Sequence, residues 1–263
     1  MGILNVTEDS FSDGGRWLDP SAAVAHARRM LDEGADLIDI GAESTRPGAP
    51  PVPAEVEAAR LVPVLRALAD CGRPLSVDTR KPEVMRAVIA TGLADLINDV
   101  AGFASDAAVD AVAGSNAACC VMHMQGDPLT MQQAPAYRDV VEEVRDWLAA
   151  RVAALQHVGV GPDRILIDPG IGFGKTVAHN LELIARLPEL SPGGTPVLVG
   201  VSRKSMIGSI TGRPVDERLP GSLAAMLAAV ARGARIVRVH DVAASRDALA
   251  VWTAVDAAAR GER

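Results

Sequence analysis

Asp78 and Asp168 each close a short apolar run, and an aspartate so presented can grip a flat, nitrogen-rich ring. A carboxylate accepts two parallel N–H bonds from an amidine-like edge, as it does from arginine. Asn98, at the end of another apolar run, adds a donor and an acceptor on one side chain. Carboxylate and carboxamide together suit an aminopyrimidinone ring. Asx residues in such places also form turns and cap helices, the plainer reading of Asn98 or Asp99 alone. The pattern is broader than one residue. Asn5, Asp78, Asn98-Asp99, His123, Asp168, Ser202 and His240 all close apolar runs, and Glu43 lies just past another. So many loops choosing polar chemistry independently is less economical than one shared small-molecule site.

Cations recur in the same places. Ser202-Arg203-Lys204-Ser205 and Arg238-Val239-His240-Asp241 follow the last two apolar runs, and Arg46 lies in Glu43-Ser44-Thr45-Arg46-Pro47-Gly48. Singly each cation reads as a solvated surface charge; converging in an acidic chain they suggest an oxyanion site. The segment Asp168-Pro169-Gly170-Ile171-Gly172-Phe173-Gly174-Lys175-Thr176 looks like a phosphate loop but fails both templates. One needs glycine where Pro169 stands, the other where Lys175 stands. Phe173 is one of three phenylalanines in the chain, and its place among these glycines suggests a stacking surface.

The elements that must position these residues are short strands alternating with helices. Apolar runs predict strands at residues 2–6, 37–40, 75–77, 96–97, 119–122, 165–167, 197–199 and 236–239. They read as apolar throughout, as parallel strands covered on both faces do. Helical spacing appears at residues 21–33 after Asp19-Pro20, from Lys81-Pro82-Glu83 to Gly92, at 138–157 and at 223–232. Eight such units in 263 residues predict an α/β fold, a single (β/α)8 TIM barrel forming one domain over residues 1–263. That fold is typically about 250 residues and carries its site at the carboxyl ends of its strands. A doubly wound open sheet is the alternative that periodicity leaves open.

Composition narrows the partners. With 49% hydrophobic, 22% charged and 3% aromatic residues, the core must be built from aliphatic side chains. A net charge of −7 argues against nucleic acid or an anionic membrane as partner. Cys71, Cys119 and Cys120 form no C-x-x-C pair, so we expect neither a disulfide framework nor a zinc site, and a cytoplasmic location. Neither an apolar stretch long enough to span a membrane nor a signal peptide is expected.

The chain resembles the dihydropteroate synthase family over essentially its whole length. The resemblance lies in residues 2–15 (GILNVTEDSFSDGG), 43–48, 76–79, 97–100, 168–175, 202–204 and 238–240, in the family's order and one stretch per loop. It implies condensation of 6-hydroxymethyl-7,8-dihydropterin diphosphate with 4-aminobenzoate, with Mg²⁺, giving 7,8-dihydropteroate and pyrophosphate. It also implies a homodimer and inhibition by sulfonamides. By motif position, Asp78, Asn98, Asp168 and Lys204 are implied to hold the pterin. Asn5 is implied to help place Mg²⁺ and the diphosphate, whose oxygens Thr45, Arg238 and His240 bind. Pro47, Phe173, Ser202 and Lys204 are implied to line the aminobenzoate pocket, with Arg46 close by. Asp78, Asp168, Lys204, Arg238 and His240 are then the catalytic set. Two positions depart from the family pattern: Glu8 stands where proline is common, and Ile171 where a second aromatic is frequent.

Three other readings stay open at this level. A methyltetrahydrofolate-binding methyltransferase domain would share the barrel but need no diphosphate site. A non-catalytic pterin-binding barrel would bind without turnover. A metal hydrolase would need His123, His240, Asp78 and Asp168 as ligands, yet no His-x-His pair ends any predicted strand.

Overall fold

All eight expected strands form, within a few residues of where the apolar runs place them. In this computed structural model the described residues are 1–7, 20–44, 50–127, 130–191 and 193–261. The strands are β1 (Gly2–Asn5), β2 (Ile38–Gly41), β3 (Leu75–Asp78), β4 (Leu96–Asp99), β5 (Ala118–Met122), β6 (Ile165–Asp168), β7 (Val197–Val199) and β8 (Ala234–Val237). The helices are α1 (Pro20–Asp32), α2 (Ala54–Ala67), α3 (Pro82–Ile89), α4 (Asp106–Val112), α5 (Val140–His157), α6 (Val177–Ala185), α7 (Ser205–Thr211), α8 (Leu219–Val230) and α9 (Val242–Ala259). The strands pair in parallel in sequence order. Beyond β8 a parallel bridge joins Val239 to Gly2, with Ile3 N–H donating to Val239 C=O at 3.0 Å, so the last strand closes on the first. The architecture is an α/β barrel.

Alternation along the strands explains why two apolar clusters exist rather than one. Ile38, Ile40, Val77, Ile97, Cys119, Val121, Ile165, Ile167, Val197 and Val199 belong to the large cluster that packs the sheet against the helices. Their neighbours Leu96, Cys120 and Leu198, with Leu37, Ala118, Leu166 and Ile236, form a separate small cluster with Met1. Successive strand residues point to opposite faces, so this second set fills the barrel interior. Here the expectation of strands apolar on both faces needs correction. The same inward-facing parity also carries Asp39, Ser76, Asp78, Asn98 and Asp168. The inner face is apolar low in the barrel and polar toward its carboxyl-terminal mouth.

Local signals fix the helix starts. Asp139 caps α5 by accepting from the Val141 and Glu142 N–H groups, and Thr176 with His179 forms a reciprocal capping box at the start of α6. That box sets where the glycine-rich loop after β6 must end. No helix among the described residues is long and apolar enough to cross a membrane.

Candidate active site

The floor of the barrel mouth is an ion-pair network built from β2, β3, β4 and the residue after β8. Arg238 donates from Nε to Asp39 Oδ2 at 2.5 Å and from Nη2 to Asp78 Oδ2 at 2.9 Å. Asn98 Nδ2 donates to the same Asp39 oxygen at 3.2 Å, and Ser76 Oγ donates to its other oxygen at 2.5 Å. Strand register creates this: Asp39 lies opposite Ser76, and Asp78 opposite Asn98. Burial pushes the Asp78 carboxyl above its usual range, Arg238 opposes the shift, and Asp39, Glu57 and Asp99 add to it. Burial alone would lower the guanidinium of Arg238; Asp39 and Asp78 outweigh it and hold the charge firmly.

Across the mouth, Asp168 closes β6 and accepts the Gly170 N–H on Oδ1 at 2.7 Å. Among the described residues no hydrogen bond reaches its Oδ2. Burial raises the Asp168 carboxyl, while Gly170 N–H, Lys204 and Lys175 oppose the rise. The loop that follows can only be made with glycine. Gly170 has φ +66°, and a Cβ there would sit 1.9 Å from the His123 carbonyl oxygen; Gly174, at φ +62°, would bring one within 2.6 Å of the Gln125 carbonyl. The buried Lys175 pins this loop to the end of β5. Its Nζ reaches His123 Nδ1 at 2.9 Å, the Phe173 carbonyl at 2.9 Å and the His123 carbonyl at 3.3 Å. Burial pushes the Lys175 ammonium down to about 7 and His123 down to about 3, Lys175 adding to the latter. Three acceptors around one Nζ call for three hydrogens, so this cage is built for the ammonium facing a neutral imidazole. Tyr137 Oη donating to the Gly174 carbonyl at 2.8 Å and Gln132 Nε2 donating to that of Gly172 at 2.7 Å complete the clamp.

The third wall is the segment after β7. Arg203 has φ +57°, a left-handed conformation costing an arginine about 1 kcal/mol. Its N–H donates to Ser222 Oγ at 2.9 Å, and its guanidinium pairs with Asp241 at 3.0 and 2.5 Å. The turn brings Lys204 Nζ 4.2 Å over the Phe173 ring, a cation–π contact. Burial lowers the Lys204 ammonium to about 8, with Asp168 resisting the shift. Ser202 Oγ lies 3.0 Å from His240 Nδ1, tying the two last loops together. Burial, then Arg203 and Arg238, push His240 down to about 4, so the ring is neutral at pH 7. Asn5, Arg203 and His240 line one cleft of about 490 Å³.

The structure thus gathers the expected pterin residues, Asp78, Asn98, Asp168 and Lys204, around one mouth, with Phe173 and Ser202 on its rim. Arg238, expected with the phosphate oxygens, is engaged with Asp39 and Asp78, yet lies near enough to His240 to oppose its protonation. Thr45, Arg46 and Pro47 lie outside the described residues. Besides His123, held by Lys175, two members of the polar ring serve the scaffold. Glu43 accepts from Arg80, Lys81 and the Val52 N–H, and Lys81 also pairs with the buried Glu57. Asp99 accepts the Ala101 and Phe103 N–H groups, both at 2.7 Å, so its turn-forming role prevails. Spacing alone does not single out Asp39 or Lys175. A lone acid inside the run Leu37-Ile38-Asp39-Ile40 was the signal for the first.

Residues 1–240 match the family model described as pterin binding enzyme. A dihydropteroate synthase of Neisseria meningitidis serogroup B is 52% identical over 261 residues, spanning 97% of this chain and 92% of that protein. The structure is similar to that of Burkholderia cenocepacia dihydropteroate synthase complexed with 7,8-dihydropteroate, with TM-score 0.90, 53% identity, 99% of this chain covered and 92% of that one. It is equally similar, at TM-score 0.90 and 53% identity over 97% of this chain and 92% of the other, to the Xanthomonas albilineans dihydropteroate synthase with 4-aminobenzoic acid. On these similarities the chain belongs to the pterin-binding enzymes and, within them, to the dihydropteroate synthases.

Proposed function

We propose that the barrel mouth condenses 6-hydroxymethyl-7,8-dihydropterin diphosphate with 4-aminobenzoate, and that the described residues divide the work as follows. The open oxygen of Asp168, a carboxylate that Lys204 helps to keep charged, carries the reading. Asp168 and Asp78 take the N–H edge of the pterin ring from opposite sides, and Asn98 completes the set. Arg238 brings positive charge to the leaving diphosphate and the neutral His240 ring donates a hydrogen bond to it, while Phe173, Ser202 and Lys204 form the face along which aminobenzoate approaches; Arg46 and Pro47 belong with that pocket by the family resemblance. Thr45 belongs with the phosphate-binding residues.

The C–O bond between the pterin methylene and the diphosphate breaks with its electron pair leaving on pyrophosphate. The aminobenzoate nitrogen forms the new C–N bond and then loses its proton. Positioning and charge neutralisation carry the rate, and no side chain is asked to be a nucleophile.

Mg²⁺ fits this site only together with substrate. Among the described residues no three acidic, histidine or cysteine side chains come together as ligands. Asn5 offers one carbonyl oxygen, and Mg²⁺ habitually takes its remaining ligands from phosphate and water. When bound, it would screen the charge gathering on the pyrophosphate oxygens. We also propose a homodimer, a cytoplasmic location, one domain spanning residues 1–263, and sulfonamides competing with aminobenzoate.

The test is to mix the protein with both substrates and Mg²⁺ and follow pyrophosphate together with the mass of dihydropteroate. Equimolar products support the reading. Pterin binding without turnover would move the chain to a non-catalytic pterin binder.

A further inference from the structure

Asp39 has no part in the scheme above, yet it is fully buried on β2 and accepts from three side chains. Its Oδ1 accepts from Ser76, and its Oδ2 accepts from both Asn98 Nδ2 and Arg238 Nε. Two consequences follow from valence and charge. An ionised carboxylate can only accept, so the carboxamide of Asn98 must turn its Nδ2 toward Asp39 and its Oδ1 away. Among the described residues no donor reaches that Oδ1. Asn98 is thereby fixed as an acceptor toward the mouth. Arg238, for its part, divides its guanidinium between Asp39 and Asp78.

We propose that Asp39 is a positioning residue of the pterin site, locking Asn98 as a hydrogen-bond acceptor toward the ring and holding Arg238 back from full engagement with Asp78. The proposal rests on the pterin reading given above. Without the buried carboxylate, Asn98 is free to flip and present its NH₂ to ring N–H groups. Arg238 then turns wholly to Asp78 and competes with the ring for it. Ser76 supplies an internal comparison, because it touches the Asp39 oxygen turned away from Asn98 and Arg238.

The experiment measures KM for dihydropterin diphosphate, KM for 4-aminobenzoate, kcat and Tm for the wild type, Asp39→Asn and Ser76→Ala. The expected result is a rise of at least about tenfold in the pterin KM of Asp39→Asn, with the aminobenzoate KM within about threefold of wild type. Ser76→Ala should keep the wild-type pterin KM. A purely structural Asp39 would lower Tm in both variants and leave the ratio of the two KM values unchanged, which overturns the proposal. A wild type that makes no dihydropteroate defeats the underlying functional reading; an active wild type with an unchanged pterin KM in Asp39→Asn defeats only the role of Asp39.

If Asp39→Asn does not fold, the wild-type protein decides. With selective ¹⁵N-asparagine labelling, the Asn98 side-chain amide, assigned by its loss in Asn98→Ala, should exchange slowly before 6-hydroxymethylpterin is added. Rapid exchange, or protection gained only with the pterin, would overturn the locked carboxamide.

Discussion

Asp99 and Asp168 are the last residues of β4 and β6, but the register sets Asp99 level with Ile167, so Asp168 faces into the barrel and Asp99 away from it, and they meet opposite fates. Both accept an N–H from the residue two places on, Ala101 and Gly170 respectively. They part at the residue four places on. Phe103 N–H closes onto the second oxygen of Asp99 at 2.7 Å. The corresponding Gly172 N–H is drawn away instead to Asn180 Oδ1 on α6, also at 2.7 Å. Pro169 has no N–H to offer. One carboxylate is consumed by its own loop, and the other keeps an oxygen for a ligand. A binding aspartate is thus distinguished by the face its strand turns it to and by what the neighbouring backbone leaves unspent, and neither residue type nor strand-end position alone reveals that.

Substitutions at the two aspartates should therefore separate binding from folding. The largest effect belongs to Asp168→Asn, which replaces an acceptor oxygen by an NH₂ facing ring N–H groups. Losing a charged hydrogen bond and stranding its partners costs about 3 kcal/mol, a fall of roughly 10²-fold in kcat/KM with little change in Tm. Steady-state kinetics beside a thermal scan reads both. Next comes Asp99→Asn, which turns an amide NH₂ against a loop N–H. It should cost about 2 kcal/mol of stability, roughly 4–8 °C in Tm, with activity per folded molecule within about threefold of wild type. If Asp99→Asn abolished turnover while Tm held, the contrast between the two loops would break.

Phe173→Ala sharpens the picture on the Asp168 side. Removing the ring beneath Lys204 should raise the aminobenzoate KM by about tenfold and leave the pterin KM near wild type. An equal rise in both KM values would mean that Phe173 shapes the whole loop rather than one face of it. Near neutral pH the smallest expected effect is on stability, and it grows as the solution is made acid. His123 is held neutral down to about 3, below the ordinary 6.5. The unfolded chain therefore takes up a proton near pH 6.5 that the folded state refuses. The stability His123 contributes is present above 6.5 and is lost as pH falls toward 3, at up to about 1.4 kcal/mol per pH unit. His123→Gln keeps an acceptor for Lys175 but cannot titrate. Its Tm should fall less than that of the wild type between pH 6.5 and 4, and parallel curves would contradict the buried neutral imidazole.

Much of this site was legible in the residue order. Apolar runs closing on Asp78, Asn98 and Asp168 sit where β3, β4 and β6 end, because parallel strands of a barrel expose only their last residues to the mouth. What escaped notice depended on contacts between distant segments. Asp39 hides within an apolar run, and only its register opposite Ser76 and its reach to Arg238 give it meaning. Glu43 has the composition of a site residue, but Arg80, Lys81 and Val52 occupy it. The α2 helix carries an internal Pro63 that obscures its periodicity. For α8 the start moved to Leu219, four residues before the run beginning at Leu223, because Pro220 can open a helix as well as break one.

The most direct test is equilibrium binding of dihydropterin diphosphate, without aminobenzoate, to the wild type, Asp168→Asn and Asp99→Asn by calorimetry. Wild type and Asp99→Asn should bind alike, and Asp168→Asn roughly 10²-fold more weakly. Wild-type affinity in Asp168→Asn would contradict the claim that its unspent oxygen makes this barrel mouth a pterin site.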